Sequence, residues 1–260
     1  MGQGLPITRA CATAGISRSC FHYASRRTDD VELIERIKEI RGRKPRWGYK
    51  RVRAKLRKEG FLVNHKRVER IWREQGFTLS ARRRRKKVRT GETVPQASTF
   101  PNHVWTYDFV FDATFGGRRM KVLSVVDEFT REALAITLGR SLTSAAVKRV
   151  ISDLFAQRGR PIVIRSDNGP GFIAFELTEW LEAQGASTYH IDSGKPWQNS
   201  FGESFNNRLR DECLNTTEFW SINRARVVLE SWRIEYNTEH LHSSLEYQTP
   251  QELAASWSAA

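Results

Sequence analysis

The spacing of apolar residues changes at Val104, and that change limits what the chain can fold into more than any other feature. Before it, apolar side chains recur at helical intervals between basic stretches. From Val104 the period drops to two, in Val104-Trp-Thr-Tyr-Asp-Phe-Val-Phe-Asp112. Gly116 and Gly117 then supply a hairpin turn into a second strand over Met120–Val126. A third strand follows over Glu132–Leu138, a helix over 143–157 and a buried strand over 161–166. Ile173–Gly185 reads as helix, Ala186–Ile191 as strand, and Asn199–Cys213 and Ser221–Tyr236 as helices. The order βββ-α-β-α-β-α-α predicts a mixed five-stranded α/β sheet flanked by helices.

The front of the chain predicts small all-α units. Residues 7–26 have the pattern of a helix-turn-helix: an Ala-rich helix, Gly15 for a left-handed turn, and Ser17 as N-cap of a second helix. Ser17, Arg18 and Ser19 would then face a DNA major groove. Val31, Ile34, Ile37 and Ile40 give residues 31–41 an apolar stripe, and a basic helix over 50–59 stops at Gly60. Asn64 caps a further helix, ending at Gly76, with Val68, Ile71 and Trp72 inside. Residues 81–103 open with six consecutive cations, Arg82, Arg83, Arg84, Arg85, Lys86 and Lys87, which repel one another and cannot pack. The expected organisation is a helix-turn-helix over 1–28, a helix-turn-helix-like DNA-binding domain over 29–80, a basic linker over 81–103 and the α/β domain over 104–260.

Charge follows the same division. Residues 1–104 carry 27 Lys/Arg against 9 Asp/Glu, a balance of +18, whereas residues 105–260 carry 16 against 20, a balance of −4. A basic front joined to a slightly acidic rear suits a polyanion-binding module coupled to a cation-holding one. No apolar run approaches the ~20 residues of a membrane helix, and the N-terminus has no secretory pattern, so a cytoplasmic location is the default. Cys11, Cys20 and Cys213 lack zinc spacing and are expected to be reduced thiols. His240 and His242 are expected to be loop or surface residues.

Three carboxylates from separate segments carry the chemical signal. Asp108 lies within the first strand, Asp167 follows the fourth strand in Arg165-Ser-Asp-Asn-Gly169, and Glu203 stands on a helix, with 35 residues separating it from Asp167. Oxygen ligands brought together from distant segments suit hard divalent cations. A pair of such ions stabilises both the attacking and the leaving oxygen of a phosphodiester displacement. Asn199, Asn207 and Arg210 share a helix face with Glu203, and Lys195 just before that helix is a candidate phosphate contact. Asp127 and Glu128 read as a turn, with Asp127 bonding local backbone.

Trp105 to Asp108, Val125-Val-Asp-Glu-Phe-Thr-Arg131, Arg165-Ser-Asp-Asn-Gly169, Gly194-Lys-Pro-Trp-Gln-Asn199, Glu203-Ser-Phe-Asn206 and Leu209-Arg-Asp-Glu-Cys-Leu214 occur in order. A tail follows, Tyr236-Asn-Thr-Glu-His-Leu-His-Ser-Ser-Leu245 and Thr249-Pro-Gln-Glu-Leu253. Together, over about residues 5–254, these resemble the retroviral-integrase-like DDE transposases of bacterial insertion sequences, in particular the downstream-frame (OrfB-type) products of two-frame elements. The resemblance implies an RNase H-like integrase core, Mg²⁺ or Mn²⁺ as two ions per site, and Asp108, Asp167 and Glu203 as catalytic metal ligands. It implies cutting and joining of double-stranded DNA at element ends and target, in a homo-oligomer. An upstream-frame product (OrfA) would be supplied as a frameshift fusion. Asp112, four residues after Asp108 on the same strand face, stays open as the first acid. Two rivals remain: an RNase H-type nuclease, and a DNA-binding regulator whose acids are relics.

Overall fold

The computed structural model describes residues 6–23, 30–78, 97–166, 172–190 and 199–258, with the backbone alone at 172–174, 190 and 258. The chain packs as two compact units, Met1–Arg43 and Lys44–Ala260. The boundary falls inside the segment from which a single helix-turn-helix-like domain is expected.

The first unit holds α1 (Ile7–Ala14), α2 (Arg18–Phe21) and α3 (Val31–Arg43). Gly15 takes the left-handed conformation, φ 65°, that an L side chain resists, and the Ser17 hydroxyl accepts from the Cys20 amide at 3.1 Å. The helix this cap starts is only a single turn, four residues long. Along α3 the buried stripe is Leu33, Ile37 and Ile40, whereas Val31 is 58% exposed. This corrects the expected Val31–Ile34–Ile37–Ile40 stripe, because at 100° per residue Val31 stands roughly 120° around the helix from Ile37.

The second unit begins with α4 (Tyr49–Lys58) and α5 (His65–Glu74), which bury Val52 and Leu56 on one and Val68, Ile71 and Trp72 on the other. Asn64 caps α5 as expected, its side chain accepting from the Lys66 amide at 3.0 Å. The sheet follows: β1 (Val104–Ala113), β2 (Arg119–Asp127), β3 (Ala133–Gly139), β4 (Val163–Ser166) and β5 (Ser187–His190). Their spatial order is β3-β2-β1-β4-β5, with β1–β2 and β2–β3 antiparallel and β1–β4 and β4–β5 parallel. β4 starts two residues later than expected. Pro161 has no amide to donate, and the amides of Ile162 and Val163 both turn to the His103 carbonyl.

Both faces of the sheet are covered, which explains why β1 is apolar on both sides. Trp105, Tyr107, Leu123 and Val125 form one core with α6 (Ser144–Arg158) and α7 (Phe172–Ala183). Val110, Met120, Val122 and Leu138 form the other with α8 (Ser200–Leu209) and α9 (Ile222–Glu239). Asn237 fixes α9 to β3, its carboxamide accepting from the Ala133 amide at 2.8 Å and donating to the Ala133 carbonyl at 3.0 Å. Beyond α8 the chain makes a π-helical turn, Arg210–Leu214, where one continuous α-helix is expected. That turn keeps Cys213 and Leu214 in the core. A tenth helix, α10 (Pro250–Ser258), closes the described chain.

His240 and His242 are not surface residues. His240 is 1% exposed, stacked on Tyr236 at 5.2 Å and edge-on to Trp47 at 5.9 Å; His242 is half-buried against both His240 and Tyr236. No helix among the described residues is long and apolar enough to cross a membrane.

Candidate active site on β1 and α8

The candidate carboxylates belong to the central strand and the helix laid across it. Alternation along β1 sends Thr106, Asp108 and Val110 to the α8 face. There Thr106 and Asp108 meet amides, while Val110 enters the apolar core. Thr106 Oγ1 donates to Asn199 Oδ1 at 3.0 Å, and Asp108 Oδ2 accepts from Asn206 Nδ2 at 2.7 Å. Asn206 also accepts, through Oδ1, from the Ser124 hydroxyl at 2.9 Å, and Ser124 is the cross-strand partner of Asp108. One carboxamide therefore ties the acid of β1, its neighbour on β2 and helix α8 together. Asp108 Oδ1 accepts from the Phe109 amide at 2.7 Å.

Glu203 lies four residues after Asn199 and three before Asn206. Side chains at those separations are helix-surface neighbours, about 5–6 Å apart at Cβ. The two asparagines that grip β1 thus bracket Glu203, which remains exposed. Gly202 is what allows the grip: a Cβ there would lie 2.6 Å from Asn199 Oδ1. A groove of about 390 Å³ opens beside Glu203, with donors from Arg46, Ser200, Ser204, Asn207 and Arg208 and no histidine or cysteine in its walls.

β4 ends at Ser166, whose partner on β1 is Tyr107, the residue before Asp108. Burial raises the Tyr107 phenol above its usual range, against a hydrogen bond with Ser166. Below this end of β4 sits an ion pair, Arg165 Nη1 to Glu128 Oε1 at 3.1 Å, with neither side chain exposed. Burial pushes the Glu128 carboxyl up to about 7, against the pull of the Arg165 and Arg131 guanidiniums. Glu128 is therefore a buried strut and not only a turn residue. Asp127 does make the expected turn: its Oδ1 accepts from the Phe129 and Thr130 amides, and its Oδ2 from Asn102.

The structure gives the other candidates mixed positions. Asn207 is exposed in the Glu203 groove. Asn199, expected on the same open face, is 4% exposed and bonded inward. Arg210 donates to the Phe111 carbonyl at 2.9 Å, bracing β1 beyond Asp108. Asp112 Oδ1 accepts from the next amide on its own strand, Ala113, at 2.8 Å. Ser17 and Arg18 are exposed in the first unit. Asp167, Lys195, Arg82, Arg83, Arg84 and Arg85 lie outside the described residues, and among those described no three His, Cys, Asp or Glu side chains cluster to hold a metal. Sequence reasoning missed Asn206 as the ligand of Asp108. Its position three residues after Glu203 was the available signal.

An integrase core domain matches residues 98–196 and a second integrase core domain matches 184–250; an HTH-like domain matches 28–87. A 31.7 kDa protein of insertion element IS407 from Burkholderia multivorans is 40% identical over 95% of this chain and 90% of its own. A 39.2 kDa protein of insertion element IS476 from Xanthomonas euvesicatoria is 38% identical over 96% of this chain and 72% of its own. The putative transposase InsK of IS150 from Escherichia coli is 26% identical over 96% and 94%. Among solved structures, a chain of the simian T-cell lymphotropic virus intasome superposes with a TM-score of 0.52 at 18% identity, over 74% of this chain and 67% of that one. That likeness fixes the fold as the integrase catalytic core. The chain belongs to the insertion-sequence transposases of the DDE integrase superfamily, which are polynucleotidyl transferases.

Proposed function

We propose that Asp108, Asp167 and Glu203 form the catalytic set with which this transposase cleaves DNA at the ends of its element and transfers the strands. The observation that carries this reading is the Asn206 bond to Asp108, made one turn along the helix from Glu203. It brings the neighbourhoods of two of the three acids together through a contact 98 residues long in sequence. Asp167 supports it by chain order alone, as the residue following Ser166.

The donors at the site, carboxylates with amide and hydroxyl neighbours, fit a hard divalent ion such as Mg²⁺ or Mn²⁺, and the reading takes two per site. When bound, such ions supply Lewis-acid stabilisation of charge on the phosphate oxygens. The protein's part is positional. Asn206 holds the Asp108 carboxylate in one orientation, Asn199 and Gly202 seat the helix, and Asn207, Ser200 and Ser204 offer donors to a phosphodiester beside Glu203. The substrate is double-stranded DNA, recognised through the basic front of the chain. The reading further takes a homo-oligomer on DNA, fusion to an upstream-frame product (OrfA) by frameshifting, and a cytoplasmic, nucleoid-associated location.

The test is strand cleavage and transfer on terminal-repeat DNA with Mg²⁺ or Mn²⁺. Asp108→Asn and Glu203→Gln should each lose at least about 10²-fold in rate while a gel shift persists, since metal ligation is worth several kcal/mol. Substantial cleavage by Asp108→Asn would reject Asp108 as a ligand, and retained activity there with loss in Asp112→Asn would move the role to Asp112.

A further inference from the structure

A second groove, of about 570 Å³, lies away from the carboxylates, between the tip of the β1–β2 hairpin and the chain entering α9. Its walls combine Phe115, Trp220, Arg118 and Arg140 with Thr114 and Asn223. The Phe115 and Trp220 rings lie 4.4 Å apart at 32°, and each residue is 64% exposed. Backbone bonds hold both in place: Phe115 N donates to the Phe219 carbonyl at 2.8 Å, and Thr114 N to the Arg118 carbonyl at 2.9 Å. Neither the Arg118 nor the Arg140 guanidinium has a hydrogen bond or ion pair among the described residues.

Two large aromatic residues open to solvent, Phe115 on the hairpin and Trp220 on the chain entering α9, are unusual surface, and such patches mark binding sites. Here they are flanked by two unengaged planar cations. Aromatic faces suit nucleobases, and guanidiniums suit phosphates. Double-stranded DNA would meet the arginines alone, because its bases are stacked on one another and unavailable to a side wall. Only an unpaired strand uses both halves of the groove. Phe115 is seven residues beyond Asp108 in the direction of β1, roughly 20 Å at strand rise, so a strand leaving the carboxylates reaches the groove within several nucleotides.

We propose that this groove binds an unpaired stretch of DNA, its bases stacked on Trp220 and Phe115 and its phosphates held by Arg118 and Arg140. The proposal rests on the reading above only in taking DNA as the polyanion.

The test uses the full chain without divalent metal, so that no strand is cut and the carboxylate assignment is not at issue. Binding of a labelled oligothymidylate of about 15 nucleotides is compared with a duplex of equal length by fluorescence anisotropy. Trp220→Ala should weaken the single strand by roughly 5- to 100-fold, the range of one or two base–aromatic stacks, and the duplex by less than about 2-fold. Trp220→Phe should restore most of the affinity. The Arg118→Ala/Arg140→Ala double variant should lower the single-strand salt slope by about 1.4, at 0.7 for each phosphate contact. A strand carrying 5-iodouracil should photo-cross-link to Trp220 or Phe115. Unchanged single-strand affinity in Trp220→Ala, equal weakening of both DNA forms, cross-links confined to other peptides, or tighter binding of the corresponding RNA would each overturn the assignment.

Discussion

The smallest unit on which the site depends is the carboxamide of Asn206. Its residue is 8% exposed, and the group both donates to Asp108 and accepts from Ser124. A buried polar group that loses its partner costs about 1–3 kcal/mol, so Asn206→Ala should lower the urea midpoint by a corresponding amount. The same change removes one restraint on the Asp108 carboxylate, and strand cleavage should fall by at least about tenfold, as misplacing a reacting group does. A gel shift should be unaffected, since Asn206 does not face solvent. Asn206→Asp is the sharper variant. It sets a second carboxylate against Asp108, two like charges that cannot both ionise at that range, and should be at least as damaging to cleavage at neutral pH. Wild-type cleavage in both variants would mean that Asp108 is oriented by other contacts.

Helix α8 works because its residues divide one cylinder between three tasks. Phe205 and Leu209 enter the core, Asn199 at the N-cap position and Asn206 grip β1, and Glu203 with Asn207 is left open to the groove. The clearance at Gly202 sets how closely the helix approaches the asparagine that bonds Thr106. Gly202→Ala should therefore destabilise despite the better helix propensity of alanine. The new methyl displaces the Asn199 side chain, an overpacking cost of about 1–3 kcal/mol, and Glu203 is carried away from β1 with the helix. The expected result is a loss of cleavage larger than the loss of thermal stability at the assay temperature. A stabilised, fully active Gly202→Ala protein would show that Asn199 rearranges freely. Much of this helix is legible in sequence, since Phe205 and Leu209 repeat at helical spacing and Glu203 has its neighbours in register. What is not legible is that Asn199 points inward, because a polar residue is assigned outward by pattern unless its partner is known, and Thr106 is 93 residues away. α10 could have been read. Thr249 and Glu252 form a reciprocal capping box, Glu252 Oε2 accepting from the Thr249 amide at 2.8 Å and Thr249 Oγ1 from the Glu252 amide at 3.2 Å.

Across the second unit, the basic helical segment is fastened to the far end of the α/β core, a junction that no local pattern announces. Trp47 is 1% exposed and meets His240 edge-on, Arg51 Nε donates to the Leu241 carbonyl at 2.8 Å, and Lys58 pairs with Glu252. Lys44 pairs with Glu235 and Glu239 on α9. The sheet order and the two cores follow from periodicity, which is local; this junction is made of single contacts between distant segments, so His240 and His242 read as surface residues until their neighbours are known. The neighbours also determine how the junction titrates. Burial, then the Arg208, Arg51 and Lys44 cations, hold His240 far below the ordinary histidine range, and burial with His240 and the same arginines lowers His242. Glu212 is the acid facing His240, at 3.5 Å from Nδ1, and burial raises its own carboxyl. A histidine kept neutral in the folded state and free to protonate near 6.5 in the unfolded state contributes stability that is present above pH 6.5 and lost as pH falls. Below that value the unfolded chain binds one more proton per histidine, so His240 alone should lower the unfolding free energy by about 1.4 kcal/mol for each pH unit. In urea unfolding of the wild-type chain from pH 6.5 to 5 this loss runs against the opposite contribution of Glu128, whose carboxyl, raised to about 7, takes up its proton in the folded state. The comparison with a variant therefore isolates the histidine. In His240→Gln, which cannot protonate, the slope should fall by about that amount, although the variant starts from a lower stability at pH 7.5. Identical slopes in the two proteins would mean that the unfolded chain gains no proton at this position, and that the junction between the basic helices and the core is indifferent to acid.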